Sequence, residues 1–163
     1  MNAAKQYLEQ MVEMMKAHLG KHPARESWAY ASMYDFILRN GREYIYEPLP
    51  KGIKRGRIKQ CYCNAFRLAQ DHPEYTYIEG IATGVIPCEH AWCVDKDGHV
   101  LDVTWSAATI RKYPPQYFGV PFDFGYVCKT VLARKYYGII DNWQGKWPLV
   151  TGKDTDFLPK VKP

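Results

Sequence analysis

The sequence predicts an α+β fold, with N-terminal helices packed on an antiparallel β-sheet. Three observations carry that expectation. Apolar residues recur at three- and four-residue spacings through the first part of the chain. From position 75 the texture changes to β-rich segments separated by turn residues. The length of 163 residues suits one domain with a proper core. Within that single domain (1–163) the reading separates a helical N-terminal part (1–54), a core (55–137) and an irregular C-terminal tail (138–163).

Residues 3–19 place Tyr7, Leu8, Met11, Val12, Met15 and Leu19 on one stripe, a helix that His22-Pro23 breaks. A second helix is expected over 26–39, carrying Trp28, Ala31, Tyr34, Phe36, Ile37 and Leu38, with Asn40-Gly41 as its stop. Residues 42–60, punctuated by Pro48, Pro50, Gly52 and Gly56, read as loop and extended chain. A third helix over 61–73 sets Cys61, Ala65, Leu68 and Ala69 on one face. Strands are expected over 75–86, 89–95 and 99–105, with one or two more within 117–137. The tail from 141 carries two tryptophans, Trp143 and Trp147, suited to anchoring it across the body.

A hydrophobic share of 47% with 24% charged residues is that of an ordinary soluble globular protein. No signal peptide is visible, since the N-terminus is amphipathic and charged throughout, and no apolar run reaches membrane-spanning length. The cysteines (61, 63, 88, 93, 128) are odd in number, which fits free thiols in a reducing cytoplasm. The net charge of +5 concentrates in "KGIKRGRIK" (51–59). A solvated loop is the plainest account of that run. Nucleic acid is the weaker partner class, because no base-stacking or helical recognition pattern accompanies it.

The stretch "PCEHAWCVDKDGHVLDVTW" (87–105) raises three chemistries. A zinc site would draw on Cys61, Cys63, Cys88, His90 and Cys93, but C-x-C at a helix start diverges. Strand alternation also puts Cys93 on the face opposite His90. A zinc nucleobase deaminase would need His72-Pro73-Glu74 to open a helix and Cys88 to begin C-x-x-C, whereas the next cysteine is Cys93.

Thiol catalysis fits better. Cys61 stands at a predicted helix start, where the macrodipole and free amides favour a thiolate and an oxyanion, with Arg55, Arg57 and Lys59 just upstream. His90 supplies the base and Asp102 its orienting acid, provided that the hairpin between them has the right register. A two-residue Asp97-Gly98 turn would pair Asp95 with Val100 and oppose the two side chains. A three-residue Lys96-Asp97-Gly98 loop pairs Asp95 with His99 and sets them on one face. Gly98 sits where that loop wants a left-handed residue, so the three-residue loop is expected.

With these residues in view, the chain resembles the transglutaminase-like branch of the papain-like thiol enzymes. "QCYCNA" (60–65) is similar to their helix-opening Q-C-W-x-x-A pattern, and "HAW" (90–92) and "DVTW" (102–105) to their H-A-W and D-x-T blocks. "EGIA" (79–82) sits where such domains have a glycine-containing strand end, and "YFGVPF" (117–122) is similar to small bacterial and phage proteins of this type. The resemblance spans about residues 55–125. It implies a papain-like core with its nucleophile at a helix N-terminus, and acyl transfer through a thioester, with no cofactor or metal.

In that scheme Cys61 attacks an amide or ester carbonyl of a protein, peptide or small molecule, His90 shuttles the proton and Asp102 orients His90. Where papain-type enzymes carry an oxyanion glutamine this chain has Arg55, so the second oxyanion donor is open. The pattern does not separate peptidase, amidase, deamidase and cross-linking activities, nor does it define the oligomeric state. The alternative is a non-catalytic binding module of the same fold, contacting nucleic acid or a protein through 51–59. Cys63 is expected as a packed thiol, Trp92 and Trp105 as core beyond the sheet or as cleft walls, and Glu79 and Glu89 as solvent-exposed.

Overall fold

The computed structural model describes residues 2–19 and 26–160; the His22-Pro23 break lies outside them. In chain order the elements are α1 (Ala3–Leu19), α2 (Met33–Asn40), β1 (Arg42–Tyr46), α3 (Cys61–Asp71), β2 (Thr76–Thr83) and β3 (Pro87–Val94). They continue with β4 (His99–Leu101), α4 (Ala107–Lys112), β5 (Gln116–Phe122), α5 (Phe124–Arg134) and α6 (Pro148–Thr151).

The fold is α+β, but its sheet is mixed rather than antiparallel. The strands close into a barrel in the order β1-β4-β3-β2-β5. β1 runs parallel to β4, with Ile45 beside His99, and antiparallel to β5, with Arg42 beside Gly119. It comes from the segment that the sequence leaves as loop and extended chain, and fills the gap between β4 and β5.

Other boundaries follow from capping. α2 begins at Met33 rather than near 26, because the Ser32 hydroxyl accepts from the Asp35 amide at 3.2 Å, leaving 26–32 as turns and bends. Residues 124–134 form a helix where strand was expected, since the Asp123 carboxylate accepts from the Tyr126 amide at 3.0 Å. Ser106 starts α4 in the same way, accepting from the Thr109 amide at 3.0 Å. The tail is anchored through Leu149, Val150 and Phe157, all buried.

Strand alternation divides the apolar residues into two layers. Tyr44, Ile78, Trp92, Val94, Val100 and Tyr117 fill the barrel. Tyr77, Ile81, Cys93, Phe118 and Val120 face outward and bury the apolar sides of the helices, including Leu8, Phe36 and Leu68. Gly80 pairs with Gly119 on neighbouring strands, and a Cβ on Gly119 would stand 2.7 Å from the Trp92 ring. That missing side chain is what lets an indole fit inside so small a barrel. Trp92 is therefore inside the barrel on the His90 side, and not beyond the sheet.

The β3–β4 hairpin has the expected register. Val94 pairs with Val100, the Asp95 amide donates to the His99 carbonyl at 3.1 Å, and Gly98 is left-handed at φ 85°. Among the described residues no helix is long and apolar enough to cross a membrane.

Candidate active site

α3 opens at Cys61, and its N-cap residue Gln60 makes no side-chain capping bond. The first amides of the helix therefore point outward without a protein acceptor from a cap, the condition for holding negative charge. Lys59, just before this cap, is left-handed at φ 62°, an arrangement that costs a non-glycine residue about 1 kcal/mol. Cys61 itself is half-buried.

His90 lies on β3, 2% exposed, and its Nε2 is 2.8 Å from Asp102 Oδ2. The Cys61 side chain lies near enough to the imidazole to help raise its pKa, and Nδ1 is the ring nitrogen that Asp102 leaves free. The three residues predicted from sequence are thus brought together in the order Cys61, His90, Asp102.

Every oxygen of the Asp102 carboxylate is occupied. Oδ2 accepts from His90 and from the Tyr117 hydroxyl at 2.9 Å, while Oδ1 accepts from the amides of Thr104 at 2.7 Å and Trp105 at 3.2 Å. Burial works against its ionisation, but the His90, Thr104 and Tyr117 bonds outweigh it and hold the carboxyl below its ordinary value. For His90, burial alone would lower the pKa; the bonds to Asp102 and then Cys61 reverse this and raise it to about 9. The Trp105 ring covers the imidazole, with centroids 4.6 Å apart.

Residues that the sequence reading did not assign hold the Asp102 turn. Arg55 does not take the place of an oxyanion donor: its guanidinium donates to the Asp102 carbonyl at 3.0 Å and to the Trp105 carbonyl. Buried Asn64 accepts from the Arg57 amide at 3.2 Å and donates to the Arg57 carbonyl at 2.7 Å and to Thr104 Oγ1 at 3.0 Å. The Gly56 amide donates to the Val103 carbonyl at 2.8 Å. The 51–59 run is an exposed loop, as expected, and its residues 55–57 are pinned to the site. A signal existed for Asn64, an amide on the buried side of a helix that begins at Cys61. Tyr117 carries no comparable mark.

Of the remaining cysteines, Cys88 lies close enough to Cys61 and Asp102 to feel their charges, and Cys93 does not share their side of the sheet. Cys93 is on the outer layer, buried, and donates to the Ala65 carbonyl at 3.2 Å. Cys63 is half-buried. Cys88 is raised to about 11, by burial first and by the neighbouring Cys61 second. His72 caps the end of α3 remote from Cys61 and pairs with Glu74 at 3.2 Å, as a helix stop does.

Glu79 departs from expectation. It is 3% exposed, accepting from Tyr77 Oη at 2.7 Å and from the Ile139 and Ile140 amides at 2.7 and 3.0 Å. Burial raises its pKa, partly offset by those same bonds. Glu89 is exposed and rims a cavity of ≈ 90 Å³, whose other walls include Tyr62, Gly80, Tyr136 and Asp141. Tyr62 follows Cys61, and Gly80 pairs with His90. Comparison with known proteins finds no matching family model, no matching curated protein and no matching solved structure.

Proposed function

We propose that the chain is a cytoplasmic thiol hydrolase or acyltransferase of papain-like, transglutaminase-like type, acting on an amide or ester bond. The observation that carries this reading is the buried His90–Asp102 pair with Cys61 beside it. Nε2 of His90 stands 2.8 Å from Asp102 Oδ2, and the neighbouring Cys61 side chain also raises the His90 pKa. The five unpaired thiols suit the proposed compartment.

The Cys61 thiol passes its proton to His90 as its sulfur attacks the carbonyl carbon and forms a C–S bond. The amide at the head of α3 faces the developing oxyanion. His90 then gives its proton to the departing amine or alcohol as the bond to carbon breaks, leaving a thioester. Water or an acceptor amine attacks next and passes a proton to His90, and the C–S bond breaks to return the thiolate. Asp102 fixes the ring and balances its positive charge throughout. Proton transfer of this kind contributes roughly 10²–10⁴-fold in rate. The cavity beside Tyr62 and Glu89 offers room for a group flanking the scissile bond.

Iodoacetamide labelling with peptide mapping tests this. Cys61 should alkylate faster than Cys63, Cys88 and Cys128, and His90→Ala should slow it at least tenfold. A Cys61 rate equal to the other thiols, or unaffected by His90→Ala, would point to a binding module without catalysis.

A further inference from the structure

We propose a second site, in the groove between the 52–57 segment and the outer side of α3, that binds the phosphate groups of a small anionic ligand. The groove encloses ≈ 480 Å³ and is walled by Lys54, Arg57 and Arg67 above an apolar floor of Leu68 and Val103. That volume lies in the range of small-molecule sites, about 300–1,000 Å³.

Its charges lack internal partners. Among the described residues no ion pair involves Lys54, Arg57 or Arg67. The carboxylate on the lining is Asp71, exposed at the end of α3. Three like charges gathered in a concavity repel one another, and an anion relieves that repulsion. Arginine in particular presents a fork that matches phosphate oxygens.

The wall is also held in advance of any ligand. Asn64 clamps both backbone groups of Arg57, Gly56 bonds Val103, and Arg55 spends its guanidinium on the carbonyls of Asp102 and Trp105. A backbone fixed in this way loses little freedom on binding, which leaves only the exposed Lys54, Arg57 and Arg67 side chains to be ordered. Phenylalanine, tyrosine and tryptophan are absent from the groove's lining, where His72 is the one aromatic ring, so a nucleic acid strand would find little stacking surface there. The chemistry favours a compact phosphate or pyrophosphate group.

Calorimetric titration of the full chain with pyrophosphate tests the site, with a single-stranded oligonucleotide as the second arm. Pyrophosphate should bind, more weakly as salt rises, and Arg57→Glu/Arg67→Glu should weaken it at least tenfold. An unchanged far-UV circular dichroism spectrum and urea midpoint in that variant show that it is folded; if it is not, Lys54→Gln/Arg67→Gln serves with the same expectation. Absence of pyrophosphate binding, or equal binding by the variant, overturns the proposal. So does binding of the oligonucleotide alone, which would make the groove a nucleic acid contact. None of these outcomes depends on Cys61 being a nucleophile.

Discussion

The Trp105 indole lies over the His90 imidazole at 4.6 Å between centroids, with 24° between the ring planes. This contact shields the His90–Asp102 bond from water and sets an aromatic face against a charged ring, an attraction of about 0.5–2 kcal/mol. Trp105→Ala should therefore lower the His90 titration midpoint, read by NMR of the ring proton. It should also slow Cys61 alkylation, while Trp105→Phe retains most of both. An unmoved midpoint in Trp105→Ala would mean that the indole only fills space.

The His90–Asp102 pair fixes a pH dependence whose sign can be worked out. The folded pKa of His90, about 9, stands above the unfolded value of about 6.5. Its stabilisation is fully present below the unfolded pKa and is lost as pH rises through about 9. Asp102 is shifted the other way, so its contribution is present above about 3.9 and lost as pH falls through its lower folded value. Urea denaturation should show the pair's contribution greatest between these limits, at about pH 4–6.5. In Asp102→Asn the alkaline loss should move to lower pH.

Glu79 ties the segment after α5 to the barrel through the amides of Ile139 and Ile140. Glu79→Ala would leave two amides and the Tyr77 hydroxyl without their acceptor, at about 1–3 kcal/mol for each group left unsatisfied. Denaturation should report a loss of about 3 kcal/mol or more. Hydrogen exchange should accelerate first at 139 and 140. Uniform acceleration across the barrel would mean that the carboxylate supports the core in general.

Gly56 has no room for a side chain, since a Cβ there would meet Asn64 Oδ1 at 2.2 Å. Gly56→Ala should push the 55–57 segment off Asn64, at about 1–3 kcal/mol, and loosen the Arg55 bond to the Asp102 carbonyl. Cys61 alkylation should slow although Cys61, His90 and Asp102 are all intact. A wild-type rate in a folded variant would separate this segment from the site.

What was legible in the sequence was local. The stripe of α1, the start of α3 at Cys61 and the hairpin register set by Gly98 are each written within one short window. The face shared by His90 and Asp102 followed from that register alone. Barrel closure was not local, because β1 finds its partners more than fifty positions away, at His99 and Phe118. The strand signal over 117–137 overran into α5 because its valines and tyrosines suit either state, and Asp123 decided the matter as a cap. Glu79 was misread because a lone carboxylate in a strand resembles a solvent-side residue. Its partners come from the segment at 139 and 140, which only the tertiary fold delivers.

Barrel closure also bears on how the chain can be cut. The blocks that resemble thiol enzymes begin near residue 55, after β1 has ended at Tyr46. A fragment excised there keeps Cys61, His90 and Asp102 but strips the partner from one side of both β4 and β5. Two bare backbone rows would then invite intermolecular pairing, so the fragment with the recognisable chemistry should precipitate, and the smallest soluble unit should begin before Arg42.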